Sequence, residues 1–205
     1  DAGAWTVELD VPGGPFRIVH TPRAGGFTPA GSPAALTWAV TAACADVEAR
    51  WLGDAGRGVL RGRGYADRVT LHRIARRLGL RRVDWGRAHV GDITIVWNRI
   101  EAERGTWSCT LATDGVRRDE GHDVELCEVG PALAPRGLEL AEGRVLHDGP
   151  AMDEERVPSA AVRGLVRLVS PPIAERRWVR RARLRGRAGW ALHEHVRFGR
   201  SGGGA

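Results

Sequence analysis

The chain of 205 residues contains no lysine. All 31 of its basic residues are arginine, and they leave a formal charge of +6. Proteins selected for phosphate partners usually mix both cations, because lysine serves well as a point charge there. An all-arginine chain rich in alanine and glycine reflects a coding bias toward GC instead, so the basic balance is discounted as a sign of nucleic acid. Cysteine is scarce: Cys44, Cys109 and Cys127 are odd in number, and no pair has CxxC spacing. That argues against a disulfide scaffold and a cysteine zinc site, and for buried thiols in a reducing, cytoplasmic compartment. No apolar run approaches the roughly 20 residues that cross a bilayer as a helix. No basic segment followed by an apolar one marks a signal peptide.

Strand signals dominate what is present. "WTVELDV" (5–11) alternates, with Trp5, Val7, Leu9 and Val11 on one face, and "PGGP" turns the chain into the alternating "FRIVH" (16–20). "AALTWAVTAACADVEARWL" (34–52) holds two or more short extended stretches. "RGRGYADRV" (61–69) reads as a glycine-rich turn that presents the only tyrosine, Tyr65, and Asp67. The best helix candidate is "VTLHRIARRLGL" (69–80), where Leu71, Ile74, Ala75 and Leu78 share a helical face; the alternative is an irregular connector broken at Gly79.

The strongest hairpin is "VDWGRAHVGDITIVWNRIEA", with Gly91-Asp92 as a type II′ turn. That register pairs Val90 with Ile93, His89 with Thr94, Arg87 with Val96 and Trp85 with Asn98. One face then carries Trp85, Arg87, His89, Thr94, Val96 and Asn98, too polar for a plain core. The other carries Gly86, Ala88, Val90, Ile93, Ile95 and Trp97, with Trp97 lying over Gly86. Further strands are predicted at 106–113, 122–129, 137–143, 163–170, 176–186 and 189–199. Short strands at even spacing imply a β-sandwich or barrel. "SGGGA" is a disordered tail.

Two blocks, "GRGYADRV" and "VDWGRAHVGDITIVWNRI", resemble the carotenoid 1,2-hydratases (hydroxyneurosporene synthases) and the AttH-like proteins. Those show a G-x-G-Y-H-D-H-x-W-G turn, then a W-G-R strand, a G-D turn and an apolar strand. Gly62, Gly64, Tyr65 and Asp67 match the first block; Trp85, Gly86, Arg87, Gly91 and Asp92 match the second. The match covers about 40 residues well, out of 205. Ala66 and Arg68 stand where that family has histidines, Thr70 where it has tryptophan, and Asn98 where it tends to an acid.

The resemblance implies an all-β, lipocalin-like antiparallel barrel or sandwich of two lobes: a reduced or truncated first lobe over 1–82, a second lobe over 83–199, and the tail 200–205. It also implies a hydrophobic isoprenoid or polyene ligand and hydration without a metal or organic cofactor. Asp67 and His89 are then the candidate catalytic groups, as proton donor and water activator. Tyr65, Trp85, Arg87, Trp97 and Asn98 are the candidate ligand contacts. The plainer reading has Asp67 tying backbone and Tyr65 plugging the lobe joint. His193 and His195 have HxH spacing, yet no third ligand completes a metal site in the sequence. The arginines of "ERRWVRRARLRG" (175–186) read as an edge strand guarded by charge. Two other function classes stay open: a non-catalytic lipid-binding or structural protein, and an arginine-driven binder of anionic surfaces, by peripheral membrane contact or non-specific contact with nucleic acid. Oligomeric state is not legible.

Overall fold

The computed structural model describes residues 3–11, 14–23, 26–29, 36–52, 58–73, 75–114, 118–121, 126–129, 132–151, 159 and 172–199. They form thirteen antiparallel strands and one 3-10 turn. A four-stranded sheet contains β1 (Trp5–Val11), β2 (Gly14–Pro22), β3 (Leu36–Trp51) and β4 (Val59–Leu71), in that order. The 3-10 turn Ala75–Leu78 leads to β5 (Leu80–Val90), β6 (Ile93–Ala102), β7 (Gly105–Thr113) and β8 (Arg118–Gly121). A short hairpin of β9 (Leu126–Val129) and β10 (Ala132–Pro135) follows. Last come β11 (Leu138–Pro150), β12 (Ile173–Leu184) and β13 (Arg187–Phe198). The second large sheet runs β11-β12-β13-β5-β6-β7-β8. The fold is therefore an all-β, lipocalin-like sandwich, and among the described residues neither sheet closes into a barrel.

The β5–β6 hairpin has the register its sequence predicts, Val90 opposite Ile93 through Trp85 opposite Asn98. Gly91 opens the turn at φ 58°, which glycine adopts without a Cβ penalty. The alternating pattern gives the sheet two buried faces. On one, Trp85, Val96 and Ile100 join Trp38, Val40 and Tyr65 of the first sheet, and Phe27 bridged to Val40, in one core. On the other, Ala88, Val90, Ile95 and Trp97 pack with Ala134, Leu138, Ala182 and Ala191. Gly86 is needed there, because a Cβ would collide with the ring of Trp97.

Three local expectations change. "RGRGYADRV" is not a turn but the middle of β4, and the irregularity lies in its partner. β3 is one long strand whose register slips between Val40 and Ala42 and again between Ala42 and Ala45, opposite Gly64–Asp67. Gly64 leaves room for Val47 and His20. The helix candidate is also overridden: Val69, Thr70 and Leu71 stay in β4, paired with Trp38, Thr37 and Leu36, and only the 3-10 turn remains before Gly79 at φ 61°. β12 is no edge strand, since β11 and β13 flank it. Its arginines bind neighbours instead: Arg176 to Asp148, and Arg177 to Glu175 and Glu194, with Arg176 and Arg180 over the ring of Trp178. β1 is the strand its alternation predicts, with Val7 and Leu9 exposed. The predicted strand 163–170 lies outside the described residues. Among them, no helix is long and apolar enough to cross a membrane.

Candidate functional site

Residues opposed across antiparallel strands share a face, so the pairing of β5 with both neighbours lays side chains out in rows. Asn98, Trp85 and Glu194 form one row, Val96, Arg87 and Leu192 the next, and Thr94, His89 and Trp190 the third. Facing them, β4 presents Tyr65 and Asp67. Between the sheets lies a cavity of about 510 Å³ whose walls include Tyr65, Asp67, Trp85, Arg87, Asn98 and Glu194, with Val69, Val83, Leu192 and Val196 as its apolar part. That size suits a small organic ligand.

Asp67 is the fixed acceptor of the site. Its Oδ2 takes a hydrogen bond from Trp38 Nε1 at 2.7 Å and another from the Tyr65 hydroxyl at 2.9 Å. Burial, with the Asp67 charge adding to it, pushes the Tyr65 phenol far up, so it stays a donor. Tyr65 packs its ring on Trp85 at 5.3 Å. The Arg87 guanidinium sits over three rings, 5.4 Å from Tyr65, 5.9 Å from Trp85 and 5.7 Å from Trp190. Burial lowers its pKa from the ordinary arginine value. Glu194 lies opposite Trp85 and forms an ion pair with Arg177 at 2.6 Å. Burial raises its carboxyl pKa, Arg177 opposes the rise, and the charges of Glu175 and Asp67 add to it. Asn98 is only 3% exposed, and its Oδ1 has no hydrogen-bond partner.

Of the residues singled out from sequence, Tyr65, Asp67, Trp85, Arg87 and Asn98 meet at this cavity. His89 does not line it. It is buried one row further along, with Nδ1 2.9 Å from Thr94 Oγ1 and its ring against Trp190. Burial, then the charges of Arg87 and Arg63, lower its pKa to about 4. Trp97 does not flank the cavity with Trp85; an odd–even offset puts it on the opposite face, where its indole donates to the Leu133 carbonyl at 2.8 Å. Asp67 is exposed at the cavity mouth rather than buried. Sequence reasoning missed Glu194 and Trp38. Glu194 sits between His193 and His195 in a segment read as a strand, but only the distant β5–β13 pairing sets it beside Trp85.

His193 and His195 point to the other face. His195 Nδ1 is 2.7 Å from Asp84 Oδ1, and Arg197 Nε donates to its Nε2 at 2.8 Å. Burial works to raise Asp84, but the bonds from His195 and Arg82 outweigh it and hold the carboxyl below its ordinary value. Among the described residues, no group of three or more His, Cys, Asp or Glu side chains is placed to hold a metal ion.

Comparison with solved structures places this geometry in a known architecture. The crystal structure of CghA with Sch210972 matches with a TM-score of 0.60 at 14% identity, over 96% of this chain and 65% of that one. A further CghA structure matches with a TM-score of 0.60 at 15% identity, over the same shares. Kievitone hydratase from Nectria haematococca matches with a TM-score of 0.56 at 11% identity, over 95% of this chain and 65% of that one. The chain shares their fold. At such identities the likeness extends to the fold alone, and the chain spans about two thirds of those proteins' length, 65% in each case. No family model matches the chain, and no curated protein matches it.

Proposed function

We propose that this protein holds a hydrophobic, isoprenoid-like small molecule in the cavity between its sheets and hydrates a carbon–carbon double bond there without a cofactor. The observation that carries this is the cavity wall: apolar side chains, two aromatic rings and two carboxyl groups around about 510 Å³. Similarity in fold to a kievitone hydratase supports the class. In this reading residues 1–82 are a reduced first lobe that roofs the site on the second.

Hydration needs a proton donor, a place for positive charge and a base for water. Glu194 is the better donor, because burial favours its protonated form. Its proton adds to one alkene carbon, using the π electrons for the new C–H bond. The neighbouring carbon becomes a cation, which the faces of Trp85 and Tyr65 and the Asp67 carboxylate stabilise. Water adds through oxygen and loses a proton to Asp67. Transfer of that proton back to Glu194 through solvent restores both groups.

One observation favours a second reading, non-catalytic binding of the same kind of ligand. Asp67 is exposed, and Ala66 and Arg68 stand beside it where the resembled family has histidines. Incubation with an acyclic polyene in oxygen-18 water separates the two. Hydration predicts a labelled alcohol that Glu194→Gln abolishes while polyene binding persists. Asp67→Asn should cut turnover and cost only about 1 kcal/mol in stability, since the amide oxygen still accepts from Trp38 and Tyr65. Binding without any labelled product would establish the second reading.

A further inference from the structure

The charged groups of the cavity are not equally satisfied. Asp67 has Trp38 and Tyr65, and Glu194 has Arg177. Arg87 touches only rings, at 5.4, 5.9 and 5.7 Å, and its Nε is buried without a hydrogen-bond partner. A guanidinium removed from water is costly unless paired, and ring faces offset only part of that cost. Asn98, one row away, is 3% exposed with an unpartnered amide oxygen. Buried polar atoms without partners are rare in folded proteins, and here three, Arg87 Nε, Asn98 Oδ1 and Trp85 Nε1, belong to residues lining one empty volume. Its apolar walls, Val69, Val83, Leu192 and Val196, lie beside them.

Resting on the cavity reading above, we infer that the ligand is an amphiphile with an acidic oxygen head, a carboxylate or an enolate, seated on Arg87. The planar fork of arginine matches two oxygens of such a head, and no lysine in the chain could replace it. The Asn98 amide oxygen, an acceptor, takes a hydroxyl donor on the ligand near that head, and the hydrocarbon part lies along the apolar walls. A pure hydrocarbon would leave both groups unpaired, so the cavity discriminates against it.

The test compares cis-parinaric acid, a fluorescent polyene acid, with its methyl ester at neutral pH. Wild type should bind the acid at least tenfold more tightly. Arg87→Met should bring the acid down to the ester's level, while saturable binding of the ester persists and reports an intact cavity. If Arg87→Met does not fold, Arg87→Gln, which loses the charge but keeps polarity, should show the same collapse of preference. Equal affinity of wild type for acid and ester overturns the inference alone, as does an acid preference that survives loss of Arg87. Failure of both probes to bind overturns it together with the cavity reading.

Discussion

The two faces of the seven-stranded sheet are made by the same strands and differ by one residue of offset. The face carrying Gly86, Ala88 and Trp97 is tightly packed at its centre: Trp97 fills the space a side chain on Gly86 would need, and its indole has the Leu133 carbonyl. Further along it, both ring nitrogens of buried His193 lack hydrogen-bond partners, and a smaller cavity of about 190 Å³ lies beside Trp178 and His195. The face carrying Trp85, Arg87 and Asn98 meets the four-stranded sheet around a cavity and leaves buried polar atoms unmatched. Close packing is the rule in protein interiors, and an unmatched polar lining works against it. Both faces carry a buried core, but the Trp85 face also leaves the larger empty volume, beside groups that a ligand could satisfy.

Truncation should expose this difference most strongly. Trp97→Ala removes a fully buried ring and a hydrogen bond, and should cost about 3–5 kcal/mol in urea unfolding. Leu192→Ala, beside existing empty volume, should cost about 2 kcal/mol or less, because loss at a site bordering a cavity removes fewer packed neighbours. Equal costs would mean that the two faces are packed alike.

Acid should act on both faces through one histidine each. His89, near Arg87 and Arg63, and His193, near Arg180 and Asp84, have pKa values lowered by burial to about 4. Unfolding returns each to an ordinary value near 6.5, so the unfolded chain binds more protons as pH falls. Stability should therefore be whole above about pH 6.5 and decline toward pH 4, by on the order of 3 kcal/mol per histidine at most. Urea midpoints across this range check it. His89→Gln and His193→Gln should each flatten the slope by one histidine's share; an unchanged slope in either would remove that residue from the account.

The offset between the faces was legible in the sequence because it is local. Alternation in 83–102 and the Gly91-Asp92 turn define which residues of β5 and β6 share a side. From that, Trp85, Arg87 and Asn98 follow as one set and Trp97 as a member of the other. What failed depends on contacts between distant segments. The glycines of "RGRGYADRV" suggest a turn, yet β3 absorbs the irregularity through its two register slips. The helical spacing after Val69 gives way to the pairing of Thr70 and Leu71 with β3. The arginines of β12 look like edge protection until β11 and β13 flank it. Glu194, the acid most altered by its surroundings at the site, carries no mark in its own segment; its role comes from lying opposite Trp85.

The central claim is that the ligand occupies the volume between the sheets, against the Trp85 face. Leu192→Trp would fill part of that volume from the row of Arg87 without touching Trp97. Titration of cis-parinaric acid methyl ester against wild type and this variant, with melting curves for both, tests the claim directly. The account predicts saturable binding to wild type and at least tenfold weaker binding to a variant that melts within a few degrees of it, roughly a 1 kcal/mol change in stability. Undiminished binding to the folded variant would contradict it and place the ligand elsewhere.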